Sequence, residues 1–395
     1  MSYFIQQVLN ALGWGSVIAL LAAGYTMTFG IIGLVNFAYG EVFMIGAFAA
    51  YFAVTVFNLP FWVGILASLI GAIVIGLAIE RIAFKPVRGA GMITLFITSL
   101  GASIIVKNLS IMLFDDSLKN FKVPNFYSGV YLLGDIIIFK KSILIFLITI
   151  TLGIMLVYLV KNTKLGIAMR GISYDSKISE TLGVNTERII IITFIIASFL
   201  GGMAGILWGM LFGSVKASMG AIPVVDAFIA SVIGGVGNVF GAMVSGYILA
   251  IGSSLFIAYL PSELVGSPMI NILSAIVEDG KLKIGENGMV CNLSEEQCKK
   301  TEKYSAEKIL FGIRPEDVII TKEKLEKNSF EVKVHFSQST GAENILNLDI
   351  ANAAGVFLRA IAPPKILYRT GDTVFANLNF NRAHLFDSHT EKLIV

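Results

Sequence analysis

The first two thirds of the chain are a series of apolar runs, each about as long as a lipid bilayer is thick. A membrane-spanning helix needs roughly 20 mostly apolar residues to cross the hydrocarbon core. Of the 395 residues, 55% are hydrophobic and only 14% are charged, which excludes an ordinary soluble domain. The sequence therefore predicts a polytopic α-helical membrane domain over residues 1–264, with about seven or eight membrane segments. The clearest apolar runs are residues 8–29, 61–79, 92–114, 142–160, 189–212 and 239–259.

Basic residues concentrate in two of the polar connections between these runs. Cytoplasmic loops of membrane proteins carry an excess of Lys and Arg, so both connections are predicted to face the cytosol. The net charge of +3 is small, and the pattern indicates orientation in a membrane and no binding of nucleic acid. The basic residues are Arg81, Lys85 and Arg88 in the first connection, and Lys164, Arg170, Lys177 and Arg188 in the second.

The second connection, residues 163–188, is the one long polar interruption in this part of the chain. Its apolar residues recur at roughly helical intervals, which predicts two short amphipathic helices broken near residues 171–173. Apolar faces on a cytosolic loop need a partner. Two alternatives stay open: the loop lies back on its own helix bundle, or it is a docking surface.

Four polar side chains fall within or beside apolar segments. Asn36 and Glu41 lie in a glycine-interrupted run, and Asp226 and Asn238 lie in residues 224–238. Polar groups at membrane depth are costly and are candidates for function, so all four are predicted to line a translocation pathway. The alternative for Glu41 is a position at a cytosolic helix start, where a carboxylate is favourable.

Residues 224–238 are too short for a full span and end in a glycine-rich break. We predict that they dip into the membrane and return, because irregular backbone at this depth needs protein or water around it. With that dip, the part of the chain after residues 239–259 is predicted to lie in the cytosol. The lysines that follow also favour the cytosolic side.

Gly201, Gly205, Gly209 and Gly213 are spaced by four throughout. Glycines at this spacing share one helix face and allow another backbone to approach closely. The sequence predicts a helix-packing face here, either within the bundle or against a second subunit.

The composition changes near residue 266, and all three histidines and both cysteines follow it. Residues 331–336, 342–350, 356–361 and 373–378 alternate like short strands, with turn residues between them. We predict a small all-β, OB-like domain over residues 265–395. Cys291 and Cys298 lack the spacing of metal ligands and are predicted to be reduced thiols, with no metal site.

The sequence Glu180-Thr181-Leu182-Gly183 resembles the coupling segment of LivH-type permeases, which belong to ATP-driven importers of branched-chain amino acids. The resemblance extends over about residues 4–260 and implies that Arg170, Glu180, Leu182 and Gly183 couple to a separate ATPase subunit. It further implies a second permease subunit, an external substrate-binding protein, an amino-acid substrate and a place in the bacterial inner membrane. The family usually has histidine where this chain has Tyr39.

The stretches GSPMINIL at residue 266, FGIRPEDV at 311, STGAENIL at 339 and AHLFD at 383 closely resemble the regulatory C-terminal domain of MalK-type ATPases. The chain has no Gly-x-x-x-x-Gly-Lys-Ser/Thr loop to cradle phosphates, so it is predicted not to hydrolyse ATP. We expect no catalytic residue, no enzyme activity and no cofactor of its own, with ATP used by partner subunits.

The prediction is therefore a permease subunit of an amino-acid importer that carries a displaced regulatory domain. One alternative is a membrane-anchored regulatory or scaffold fusion. Another is a non-functional gene chimera, because the LivH-like part stops before one further apolar helix of that family.

Overall fold

The structure is a computed structural model, and it divides into two compact units, Met1–Ala258 and Tyr259–Val395. The residues that it describes are 2–33, 35–124, 129–133, 136–259, 271–278, 281–284, 289–292, 308–321, 329–339, 344–350, 357–363, 368–379 and 382–387. Each unit is considered separately below. Cys298 and residues 266–270 of the MalK-like stretch lie outside the described residues.

Unit 1 is helical, and seven of its described helices are long and apolar enough to cross a membrane. This confirms the predicted polytopic α-helical fold class of this part of the chain. The helices are α1 (Ser2–Ile32), α2 (Tyr39–Tyr51, continued by a π-helical turn at Phe52–Val56), α3 (Phe61–Ile79), α4 (Met92–Phe114), α5 (Lys140–Asn162), α6 (Lys164–Tyr174), α7 (Ser176–Thr181), α8 (Thr186–Phe212), α9 (Ala221–Ile233) and α10 (Val239–Tyr259). Short strands β1 (Lys119–Asn120), β2 (Val130–Leu133), β3 (Ile136–Phe139) and β4 (Ser214–Val215) lie between them.

Contacts between helix ends define two ends of this bundle. At one end, which we call the hairpin end, the Gln6 side chain bonds to the backbone of Ile137 in the β2–β3 hairpin, and β1 pairs with β4. At the other, which we call the α6 end, Ser173 of α6 bonds to Gly30 near the end of α1. Since the α6 end also carries the basic connections, it is the end that the charge pattern assigns to the cytosol.

Helix α2 does not begin at the α6 end, although α1 ends there. The Tyr39 hydroxyl donates to the carbonyl oxygen of Ala197, near the middle of α8, at 2.8 Å. Glu41 accepts a hydrogen bond from Ser103, the central residue of α4, at 3.0 Å. The start of α2 therefore lies near the middle of the membrane-spanning helices, and the non-helical residues before it lie at membrane depth.

Helix α9 also begins at mid-depth. A Cβ on Gly40 would lie 2.6 Å from the Gly220 carbonyl oxygen, so the starts of α2 and α9 are in backbone contact. The turn after α9 lies at the α6 end, because the Gly237 N–H bonds to Thr26 at 2.9 Å and Gly237 packs on Gly30.

The prediction that residues 224–238 dip into the membrane and return is therefore wrong. The segment before α9 is bound near the hairpin end, where Ser218 bonds to Asp116 at 2.9 Å, so this segment and α9 together cross the bundle. Helix α10 then runs back towards the hairpin end alongside α1, with Tyr247 and Ser16 bonded at 3.0 Å. Since α10 ends opposite α6, the dip no longer supports a cytosolic C-terminal unit, and the side of that unit stays a prediction.

The glycines of α8 have different neighbours. A Cβ on Gly205 would lie 2.5 Å from Phe43 O and 2.8 Å from Ala47 N of α2, and one on Gly201 would meet Tyr39 at 3.3 Å. A Cβ on Gly209 would meet the Phe121 ring at 3.0 Å. Gly213 does not share this face. It ends α8 with a φ of +68°, because the left-handed conformation of a helix C-cap favours glycine.

Unit 2 is built of antiparallel strands and has its own apolar core, which confirms the predicted all-β, OB-like class. The strands are β5 (Asn271–Glu278), β6 (Lys281–Ile284), β7 (Met289–Asn292), β8 (Lys308–Ile313), β9 (Val318–Thr321), β10 (Ser329–Ser339), β11 (Asn344–Ile350), β12 (Phe357–Ala362), β13 (Thr373–Leu378) and β14 (His384–Asp387). One sheet has the order β14-β8-β5-β6-β7 and the other β12-β11-β10-β13-β9, whose edge strands β12 and β9 also contact each other.

Candidate coupling surface and membrane path

Helix α6 is held tightly against the end of α5. Thr163 caps it, with its hydroxyl oxygen accepting from the Gly166 N–H at 3.1 Å. Gly166 packs directly on the carbonyl groups of Leu159 and Val160, where a Cβ would clash. The Arg170 guanidinium bonds to the Val160 carbonyl at the C-terminal end of α5. Arg170 thus supports the helix junction, since a cation there complements the helix dipole.

The break between the two amphipathic helices lies at Asp175, not at residues 171–173 as the sequence predicted. Asp175 has extended backbone, and its carboxylate accepts from the N–H groups of Lys177 and Ile178 at 2.8 and 3.0 Å. Asp is a strong N-cap residue, and this preference places the boundary. Gly183 ends α7 with a φ of +85°, with its N–H bonded to Glu180 O at 3.0 Å.

This connection leaves large apolar side chains exposed, three of them in or beside α7. Tyr174 is 94% exposed, Ile178 59% and Leu182 79%, and they follow one another at intervals of four residues. We call these three residues the α7 patch. The opposite face of α6 is buried through Met169 and Ile172, so this face lies on the bundle. Docking of a partner on the exposed side stays a prediction.

Ser173 links this connection to α1. Its hydroxyl donates to the Gly30 carbonyl oxygen at 2.5 Å, and Gly30 packs on Gly237 in the turn between α9 and α10. Displacement of α6 would therefore act on α1 and on that turn. Sequence analysis missed this contact, because nothing local marks a serine as the partner of a carbonyl that lies far away in the chain.

Two ion pairs lie at the α6 end of the bundle. Glu80 is fully buried and paired with Arg88, and Lys85 is paired with Glu187 in the first turn of α8. Burial lowers the pKa of the Arg88 guanidinium, and the nearby Glu187 charge opposes that shift. The Lys85–Glu187 pair ties the connection between α3 and α4 to α8, the helix that follows the α7 patch, while the Glu80–Arg88 pair lies within that connection.

The structure brings some of the predicted membrane-path residues to one depth. Glu41 is 3% exposed, and within the described residues its Oε2 has no hydrogen-bond partner. Asn36 is also buried, and its Oδ1 is likewise unpaired there. Glu41 belongs to the first turn of α2, so the alternative of a helix-start carboxylate is right about the helix position and wrong about the cytosolic end.

Asp226 and Asn238 lie in different surroundings. Asp226 is half-buried on α9, while Asn238 is exposed at the α6 end. The Asn238 carboxamide oxygen accepts from the Gly241 N–H at 3.1 Å and thereby caps α10. The structure thus gives Asn238 a structural role at a helix start and does not group it with Glu41.

The fold defines a polytopic helical membrane protein, and comparison with known proteins identifies the family. Residues 7–277 match the family model described as branched-chain amino acid transport system / permease component. The chain belongs to this family. It is an inner-membrane, multi-pass protein and a transporter component in an ABC system.

Two relatives illustrate the match. The permease protein LivH of Salmonella typhimurium, from a high-affinity branched-chain amino acid transport system, is 35% identical over 66% of this chain and 88% of that protein. The permease protein BraD of Pseudomonas aeruginosa is 36% identical over 57% of this chain and 77% of that protein.

The C-terminal unit has different relatives. Residues 266–318 match a MalK OB fold domain and residues 311–386 a TOBE domain. The oligosaccharide import ATP-binding protein MsmX of Bacillus subtilis is 27% identical over 32% of this chain and 35% of that protein. The predicted combination of a LivH-type permease with a MalK-type C-terminal domain is confirmed.

Proposed function

We propose that this chain forms the translocation pathway of an ATP-driven importer for branched-chain amino acids and couples to a separate ATPase subunit through the α7 patch. A second permease subunit completes the pathway, and an external binding protein delivers the amino acid at the hairpin end. The chain itself carries no catalytic step, since ATP is used by the partner.

The exposure of the α7 patch is the observation that supports this proposal most directly. Three large apolar side chains are exposed at the basic end of the bundle, and exposed apolar groups of this kind mark interaction sites. The connection that presents them is fastened to α5 by Arg170 and to α1 by Ser173. A partner that binds the α7 patch and then moves would therefore displace α1 and α6 together.

Uptake of labelled leucine, isoleucine and valine by proteoliposomes tests the proposal. The chain is reconstituted with a second permease, ATPase subunits and a binding protein of the same class. ATP-dependent uptake that disappears with Leu182→Asp is the expected result. Uptake unaffected by that substitution would reject the patch as the coupling surface, and no uptake of any of the three would reject the transport function.

The match of the C-terminal unit to a regulatory domain favours one second candidate, a membrane-anchored regulatory protein. In that case the C-terminal unit binds its partners while the helices serve as an anchor. Deleting the α7 patch would then leave partner binding by the C-terminal unit intact. Neither the wild type nor this variant would transport amino acids.

A further inference from the structure

One side of α9 is exposed although the helix lies at membrane depth. The residues on this side follow helical spacing, and we call them the outer face of α9: Ile222, Val225, Asp226, Ile229 and Ile233. The opposite side packs against α1, with the Phe228 ring 5.8 Å from the Tyr25 ring.

The depth of the outer face follows from the two ends of α9. Its first residues follow Gly220, which touches Gly40 beside the mid-depth Glu41, and its last turn leads to Gly237 at the α6 end. With 13 residues, α9 is only about 20 Å long, which is too short to cross the membrane core alone. Non-helical backbone joins it at both ends. Irregular backbone within a membrane occurs only where protein or water satisfies it.

Asp226 makes the outer face unsuitable for lipid. It is half-exposed, and none of the residues that the structure describes bonds to its carboxylate. A charged side chain towards lipid at this depth is costly, and the side chain of Asp is too short to reach far towards the interface. Its neighbours Ile222 and Val225 are exposed as well, at 73% and 42%.

Helix α4 provides the contrast within the same molecule. It is a regular span of 23 residues, and at the level of Ser103 its exposed side chains include Leu100 and Ile104, at 36% and 58%. At this level the exposed side chains of α4 are aliphatic, and its polar Lys107 and Asn108 lie about one turn nearer the hairpin end, with Asn108 bonded to the Ile104 carbonyl. The bundle thus has a lipid-compatible side at α4 and a lipid-incompatible side at α9.

We propose that the outer face of α9 is a wall of the water-filled translocation pathway, and that the Asp226 carboxylate attracts the ammonium group of the passing amino acid. This rests on the proposed function, because the wall needs a second permease subunit to close the pathway opposite it. Ile222, Val225 and Ile229 offer an aliphatic surface beside the carboxylate, which suits a branched aliphatic side chain.

Cysteine labelling tests the wall. In a parent in which Cys291 and Cys298 are replaced by Ser, single substitutions are made at the outer face, Ile222→Cys and Val225→Cys. The matched controls are Leu100→Cys and Ile104→Cys on α4. The assembled complex in open membrane fragments is treated with a cationic trimethylammonium and an anionic sulfonate methanethiosulfonate reagent, and rates are normalised to those of a free thiol.

We expect the α9 cysteines to react and the α4 cysteines to stay unreactive, because these reagents need water around the thiolate. We also expect the cationic reagent to be favoured at Val225→Cys, and Asp226→Asn to reduce that preference about threefold or more, with Asp226→Glu retaining it. Unreactive α9 cysteines would reject the proposal that the outer face of α9 lines a water-filled pathway. An unchanged preference for the cationic reagent in Asp226→Asn would reject the proposed role of Asp226.

Uptake by the cysteine-free parent is measured beside the labelling. Its absence would count against the proposed function, while the reactivity of α9 against α4 would still decide whether the outer face meets water. The labelling can therefore reject the pathway-wall proposal separately from the uptake result, which tests the proposed transport function.

Discussion

The hydroxyl of Ser173 donates a hydrogen bond of 2.5 Å to the carbonyl oxygen of Gly30, joining α6 to the end of α1. The same glycine packs on Gly237, so one residue contacts both the connection formed by α6 and α7 and the turn from which α10 starts. A movement of α6 can thereby reach α1, α9 and α10 through a single chain of contacts.

Replacing Ser173 by alanine tests this link. The lost hydrogen bond is expected to cost about 0.5–1.5 kcal/mol of stability, and the larger effect should fall on coupling. ATP hydrolysis in the reconstituted complex should continue while uptake per ATP decreases. Ser173→Thr keeps the hydroxyl and is the control, so equal uptake per ATP in the alanine variant and the wild type would reject the link.

Gly183→Arg should abolish uptake while membrane insertion is retained. No described atom lies within 4 Å of a Cβ at this position, so the isolated chain has room for the side chain, and only the φ of +85° adds about 1–2 kcal/mol of strain. Gly183→Asn is the control, since Asn tolerates this conformation. Normal uptake with Arg would show that no partner packs there.

Gly205→Leu should destabilise the bundle. A Cβ alone would lie 2.5 Å from Phe43 O, and overpacking of this kind typically costs about 1–3 kcal/mol or more. The melting temperature in detergent should fall by several degrees. Gly101→Leu on α4 is the matched control, because no described atom lies within 4 Å of a Cβ there, and an equal effect of both variants would contradict the close contact.

The side of the C-terminal unit can be read from its own thiols. The cytosolic placement stays a prediction that the lysines after residue 266 favour, so we expect an impermeant thiol reagent to label Cys291 and Cys298 only after permeabilisation. Labelling in intact cells would place the unit outside and contradict the prediction.

Two reporters calibrate this experiment in a background without the native cysteines. Leu182→Cys, in the α7 patch, should react only after permeabilisation, and Lys122→Cys, near the hairpin end, should react before it. The reverse pattern for the two reporters would mean that the whole bundle is oriented opposite to its charge pattern.

The sequence by itself determined the membrane spans, because only long apolar helices satisfy their backbone in lipid, and it determined the alternating strands of the C-terminal unit. It also marked Gly183 and the basic connection, since these signals are local. The course of α9 was decided by tertiary structure: whether residues 224–238 dip or cross depends on Gly220 meeting Gly40 and Gly237 meeting Gly30. Likewise, Glu41 and Ser103 are far apart in the chain, and the depth of that carboxylate is set by packing between helices, which no local pattern encodes.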